Sequence, residues 1–122
     1  MTLARIALGK TGEDLACHEL ERRGYAILAR RYRRRGGELD IVARDGGTIV
    51  FVEVKARRGQ DWGGGAEAVT PLKQRRMVQV ALDYLVRHRL TRCPCRFDVV
   101  AIDVRPAGPA IEVFRNAFMA TE

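Results

Sequence analysis

Hydrophobic and polar positions follow two periods along this chain. From Leu8 to Arg23 the apolar residues Leu8, Leu15, Ala16 and Leu20 recur at helical spacing, and Gly24 follows as a stop. On the wheel of that predicted helix Glu13 lies at the border of the apolar face, close in angle to Leu20, while Asp14 points to solvent. "YAILARRYR" then reads as a strand. "GELDIVARDGGTIVFVEVKAR", Gly37 to Arg57, holds two more strands around "DGG", a hairpin signal. A glycine-rich stretch, "RRGQDWGGGAEAV", leads to Thr70 and Pro71, which predict a helix start with Thr as N-cap and Pro at the first helical position. That helix runs to about His88 and buries Met77, Val78, Ala81, Tyr84 and Leu85. "RFDVVAIDV" and "AIEVFRNAF" are the last two strands, joined by the turn "RPAGPA". The order is α-β-β-β-α-β-β, an α/β domain with a mixed central sheet flanked by helices.

The hairpin carries the chemistry. Side chains alternate across a strand, which puts Glu38, Asp40 and Val42 on one face and Phe51, Glu53 and Lys55 on one face of the next strand. With Gly46-Gly47 as a two-residue turn, Asp45 opposes Thr48, and counting back sets Val42 against Phe51, Asp40 against Glu53 and Glu38 against Lys55. Directly opposed carboxylates repel at about 5 Å. A divalent cation converts that repulsion into attraction, and hard oxygen ligands suit Mg²⁺ or Mn²⁺. Lys55 beside Glu53 is placed to orient a bound water or to stabilise charge in a transition state. The alternative is a salt-bridge ladder with Lys55 pairing Glu38 and Asp40. It leaves Asp40 facing Glu53 uncompensated, so the metal pair is preferred.

Composition adds a partner class. The 122 residues suit a single domain, 1–122, and 47% hydrophobic with 30% charged residues is a globular balance. No apolar run approaches the roughly 20 residues that span a bilayer, and Arg5 interrupts the short apolar N-terminus, so a cytoplasmic protein without a signal peptide is expected. A net charge of +7 and a pI near 10.0 point to a polyanion. Its densest run, "RRYRRR" from Arg30 to Arg35, has two readings. The arginines grip phosphates while Tyr32 stacks on a base, or they form the solvated face of an edge strand. Lys10, Lys55 and Lys73 are the only lysines beside 19 arginines, so a lysine at position 55 is a specific choice of a compact amine. Cys17, Cys93 and Cys95 imply no disulfide framework. A zinc site built on "CPC" and His88 lacks paired ligands, and small buried thiols are the preferred account.

"GELDIV" followed by "FVEVKAR" resembles the D…ExK core of the restriction-endonuclease-like, or PD-(D/E)xK, nucleases, with Asp40 as the first acid and Glu53-Val54-Lys55 as the E-x-K. Gly9, Gly12-Glu13, the "GY.IL" from Gly24, "GELD", "VFVEVKAR", the Lys73 helix and "RFDVVAID" together resemble the small bacterial YraN-like family over nearly the whole chain. The resemblance implies the three-layer nuclease fold and metal-dependent phosphodiester hydrolysis. By similarity to archaeal Holliday-junction resolvases it implies Glu13 as a third metal contact, beside Asp40, Glu53 and the Val54 carbonyl. It also implies branched or damaged DNA as substrate and a homodimer. Leu39 stands where the "PD" form has proline, which is not a ligand. A non-catalytic nucleic-acid-binding module that keeps the fold is the rival.

Arg31, Arg33, Arg35, Arg57 and Arg58 are further candidate nucleic-acid contacts, as are Lys73 and Gln74, whose bland reading is a solvated lysine and a helix-end amide. Trp62 reads equally as a stacking group or a loop anchor. Asp98, opposed to Arg96, is expected to be structural, and His18 and His88 to be surface residues.

Overall fold

A computed structural model describes residues 2–58 and 69–120, apart from the side chain of Arg5. The elements are α1 (Leu3–Arg22), β1 (Ala26–Arg34), β2 (Gly37–Asp45), β3 (Thr48–Arg57), α2 (Pro71–Arg87), β4 (Cys95–Asp103) and β5 (Ala110–Phe118). They form one sheet in the order β1-β2-β3-β4-β5, antiparallel except where β4 joins β3 in parallel. This is the expected mixed sheet in the expected order.

Each helix covers one face. Ala16, Cys17 and Leu20 of α1 pack on Ile41, Ala43, Val50, Val52, Val100 and Ile102. Met77, Val80, Ala81, Tyr84 and Leu85 of α2 pack on the opposite face, against Leu39, Val42, Phe51, Phe97 and Val99. The three layers follow from β3 and β4, whose successive residues are buried on alternate faces, so both sides must be covered. Val80 is buried and Val78 only partly, a shift from the predicted helix face.

α1 starts at Leu3, five residues before the predicted start at Leu8. Its first turns reach beyond the core: Leu3 is 84% and Ile6 52% exposed, so they add nothing to the apolar stripe that marks the helix. Gly12 brings α1 onto the sheet. A Cβ at that position would lie 2.5 Å from the Ala56 Cβ, so only glycine permits the approach that sets the neighbouring Glu13 beside β3. α2 begins as expected, with Thr70 Oγ1 accepting from the Lys73 N–H at 3.2 Å and Pro71 following.

The hairpin turn is also as read, with Asp45 opposite Thr48 and Val42 opposite Phe51. Strict alternation fails farther along β2, however. Leu39 and Val42 lie in the same core, beneath α2, and on β1 Ala29 and Tyr32 both pack against that core. Arg31, between them, has a φ of 52°, and the two strands change face together there. Asp40 occupies this irregular strip.

Candidate active site

The site lies where β2 and β3 part. Their ladder is paired from Asp45–Thr48 to Ile41–Val52. Continuing that register sets Asp40 against Glu53 and Leu39 against Val54. The Val54 N–H donates instead to Asp40 Oδ2, at 2.8 Å. The Asp40 side chain thus replaces a backbone acceptor, and its carboxyl is held at the opening of the hairpin.

Asp40 and Glu53 meet there, as expected. Burial pushes the Asp40 carboxyl up to about 7, reinforced by its hydrogen bond with Glu53 and by the charge of Glu53. The Val54 N–H and the charge of Lys73 pull the other way. Glu53 is 2% exposed. Its partner is the Lys73 ammonium, which reaches over from the first turn of α2. Burial disfavours the charge on Lys73, but the hydrogen bond and charge of Glu53, with Asp40 and Glu38 nearby, still raise its pKa above the ordinary value. The site is therefore a carboxyl pair with one cation built in.

That lysine reverses the bland expectation for the start of α2. Lys73 belongs to the site, while Gln74 is the helix-end amide, donating to the Val69 carbonyl at 2.9 Å. Glu13 is buried beside β3 but is held by Arg30 and Arg31, at 3.2 Å each. Among the described residues no group of three or more His, Cys, Asp or Glu is placed to hold a metal ion. The donors brought together are Asp40, Glu53 and the Val54 backbone. Mg²⁺ typically takes one or two carboxylates and keeps several waters, so this set fits such an ion.

Two clefts open beside Asp40. One, of about 520 Å³, runs along the start of α1 past Lys10, Glu13, Arg31, Arg33, Glu38 and Lys55. The other, of about 390 Å³, faces α2 and is bordered by Glu38, Thr70, Leu72, Lys73, Arg76 and Met77. Among the described residues, Asp40 and Glu38 alone border both. The expected pairing of Glu38 with Lys55 is replaced by Glu38 with Arg33, at 3.3 Å across β1 and β2. Lys10 and Lys55 make no ion pair among the described residues, which leaves two ammonium groups facing the larger cleft.

The model of an uncharacterised protein family, UPF0102, matches residues 12–102. Among curated relatives, a UPF0102 protein of Syntrophus aciditrophicus is 51% identical over 93% of this chain and 89% of its own length. A UPF0102 protein of Geobacter sulfurreducens is 53% identical over 91% of this chain and 88% of its own.

The chain belongs to the UPF0102 family.

The stretch matched by the UPF0102 model begins at Gly12, where α1 touches the sheet, and takes in Glu13, Asp40, Glu53, Lys55 and Lys73.

Other expectations divide. β1 is an edge strand, and four of the arginines in "RRYRRR" are engaged: Arg30 and Arg31 by Glu13, Arg33 by Glu38, and Arg34 by Asp83 at 3.0 Å. Tyr32 is no projecting base-stacker. Its hydroxyl donates to Asp83 at 2.6 Å and its ring meets the Tyr84 ring edge-on, 5.1 Å away. Asp98 is fully buried, held by Arg96 at 3.1 Å and by the Asn116 N–H at 2.9 Å, which bears out its structural reading. Arg96 also reaches Asp45 at 3.0 Å and accordingly ties the hairpin turn to β4. His18 and His88 are exposed on or next to the helices. Cys17 is buried, but Cys95, the first residue of β4, is exposed, and Cys93 is partly buried against the core beneath α2. Arg35 and Arg58 are exposed and Arg57 partly so, at the ends of β1 and β3. Trp62 lies outside the described residues.

Proposed function

We propose that this protein is a divalent-metal-dependent endonuclease that hydrolyses phosphodiester bonds in DNA, with branched or damaged DNA as the favoured substrate. The observation that carries the reading is the Asp40–Glu53 carboxyl pair at the parting of two strands, with Asp40 bordering two clefts that cations line, Lys55 in one and Lys73 in the other. Two carboxylates are costly to bury without full counter-charge, and Lys73 supplies one positive charge; a divalent cation would complete the balance and attract a phosphodiester.

Asp40, Glu53 and the Val54 carbonyl would hold Mg²⁺ or Mn²⁺. By strand geometry that carbonyl points to the same edge as the Val54 N–H, toward β2. When bound, the ion polarises the scissile phosphate and acidifies a water. Asp40 must give up its proton for the pair to carry two negative charges, so metal affinity rises with pH through about 7. Lys55 donates hydrogen bonds to the attacking water or to a phosphate oxygen. Lys10, Arg31 and Arg33 guide the phosphate backbone along the larger cleft.

The test is incubation with Mg²⁺ or Mn²⁺ and labelled linear, nicked and four-way DNA. Cleavage is expected, lost in Glu53→Ala and Lys55→Ala while DNA binding survives. A second reading, a nucleic-acid-binding module without catalysis, draws on the ion pairs of Glu53 with Lys73 and of Glu13 with Arg30 and Arg31. Intact DNA with every metal and substrate, bound by the protein, would favour it.

A further inference from the structure

The Glu53–Lys73 pair holds a consequence for the metal itself. Glu53 is almost wholly buried, and Lys73, nearly half exposed, is the only cation recorded against its carboxylate among the described residues. The ammonium is tethered to the first turn of α2, and that turn is fixed by Thr70, Pro71 and the Gln74 amide. Its alternative environment is the smaller cleft, bordered by Thr70, Leu72 and Arg76. Facing it from the sheet are Glu53 of β3 and Asp40 and Glu38 of β2. The lysine side chain is nearly half exposed.

We infer that Lys73 is a tethered competitor for the metal position: its ammonium holds Glu53 when no divalent cation is bound and must swing into the smaller cleft before Glu53 becomes a ligand. This rests on the metal-site reading above and goes beyond it by naming the residue that sets the affinity. The ammonium holds Glu53 Oε2, and two cations on one buried carboxylate repel each other, so a divalent ion that takes that oxygen displaces the lysine. A partly exposed pair is worth less than a buried one, so the competition lowers affinity moderately and does not abolish it. With Lys73 in place, the buried acid is compensated in the metal-free protein. Without it, the divalent ion meets an unopposed carboxyl pair.

The experiment is Mn²⁺ titration of the DNA-free protein, followed by calorimetry or by the paramagnetic signal of unbound Mn²⁺, for wild type, Lys73→Gln and Arg76→Gln. Arg76 borders the same cleft and controls for the general effect of removing a positive charge. Lys73→Gln is expected to bind Mn²⁺ roughly tenfold more tightly than wild type, and Arg76→Gln by no more than about twofold. Thermal melting gives a second readout, with Mn²⁺ raising Tm more in Lys73→Gln than in wild type. If Lys73→Gln folds only with Mn²⁺ present, that rescue supports the same competition, and failure to fold with or without Mn²⁺ refutes it. Equal affinities in wild type and Lys73→Gln would overturn the inference and leave the proposed function standing. Equal tightening in both variants would reduce it to a field effect and also overturn it. No Mn²⁺ binding by any of the three would remove the metal reading and the inference together.

Discussion

Replacing Asp40 with asparagine tests the strained pair directly. The Asp40 carboxyl titrates near 7 in the folded chain against an ordinary value of 3.8. A pKa raised by folding means that the native state holds a proton which the unfolded chain releases between those values. The contribution of this group to stability is thus greatest below about pH 4, falls as pH rises, and levels off above about pH 7. The gap is about three pH units at ~1.4 kcal/mol each, an upper limit of ~4 kcal/mol. Asparagine does not titrate, and its side-chain oxygen still accepts from the Val54 N–H while its amide donates to Glu53. Asp40→Asn should therefore gain ~3 kcal/mol on wild type between pH 4.5 and pH 8. Urea unfolding in EDTA measures this. With an m-value of roughly 1.5 kcal/mol per M, the midpoint difference between the two proteins widens by about 2 M over that range. Glu53→Gln provides a cross-check, because it removes the charge that helps hold the proton on Asp40 and should lower that pKa. Midpoints of wild type and Asp40→Asn that run parallel from pH 4.5 to 8 would refute the account of the pair.

Other outcomes follow from the same structure. Gly12→Ala forces a methyl group onto Ala56 and should cost about 1–3 kcal/mol in chemical denaturation, with DNA binding also weakened through the displaced Glu13 region; an unchanged midpoint would show that α1 can shift. Arg96→Met removes the ion pair of fully buried Asp98 and the tie to Asp45, and should destabilise by about 3 kcal/mol in the same assay. Tyr32→Phe loses one hydrogen bond to Asp83, which keeps Arg34 and Arg87, so a melting experiment should show only about 1 kcal/mol. Lys10→Gln, in the larger cleft, should lower DNA affinity alike for all sequences and reduce the slope of log affinity against log salt by about 0.9; an unaltered slope would place the DNA elsewhere.

The register of the hairpin was legible because Gly46-Gly47 admits one tight turn and the apolar alternation fixes the rest, as the Val42–Phe51 pair confirms. The start of α2 was legible for a similar reason: Thr70 and Pro71 are local signals. What the sequence hid were contacts between distant segments. Lys73 meets Glu53 only because α2 packs across the sheet, and nothing near position 73 announces a carboxylate 20 residues earlier. Arg30 and Arg31 reach Glu13 by the folding of β1 against α1. The change of face at Arg31 and Asp40 was invisible to an argument that assumes strict alternation. That irregular strip is where the site lies, so the simplest pattern rule failed at the position that matters most.

The sheet's single parallel junction also orders events in time. β1, β2 and β3 are joined by two-residue turns, at Arg35-Gly36 and Gly46-Gly47, and their pairings span few residues. β4 joins β3 only after the chain has passed through α2, closing a far longer loop. The meander is accordingly expected to form first, with high φ-values at Ile41 and Val50 and low ones at Val100 and Ile102; the opposite polarity would contradict this. On such a route Asp40 and Glu53 come together before α2 delivers Lys73. The two acids meet while water can still screen them, and the lysine arrives as the core closes over Glu53.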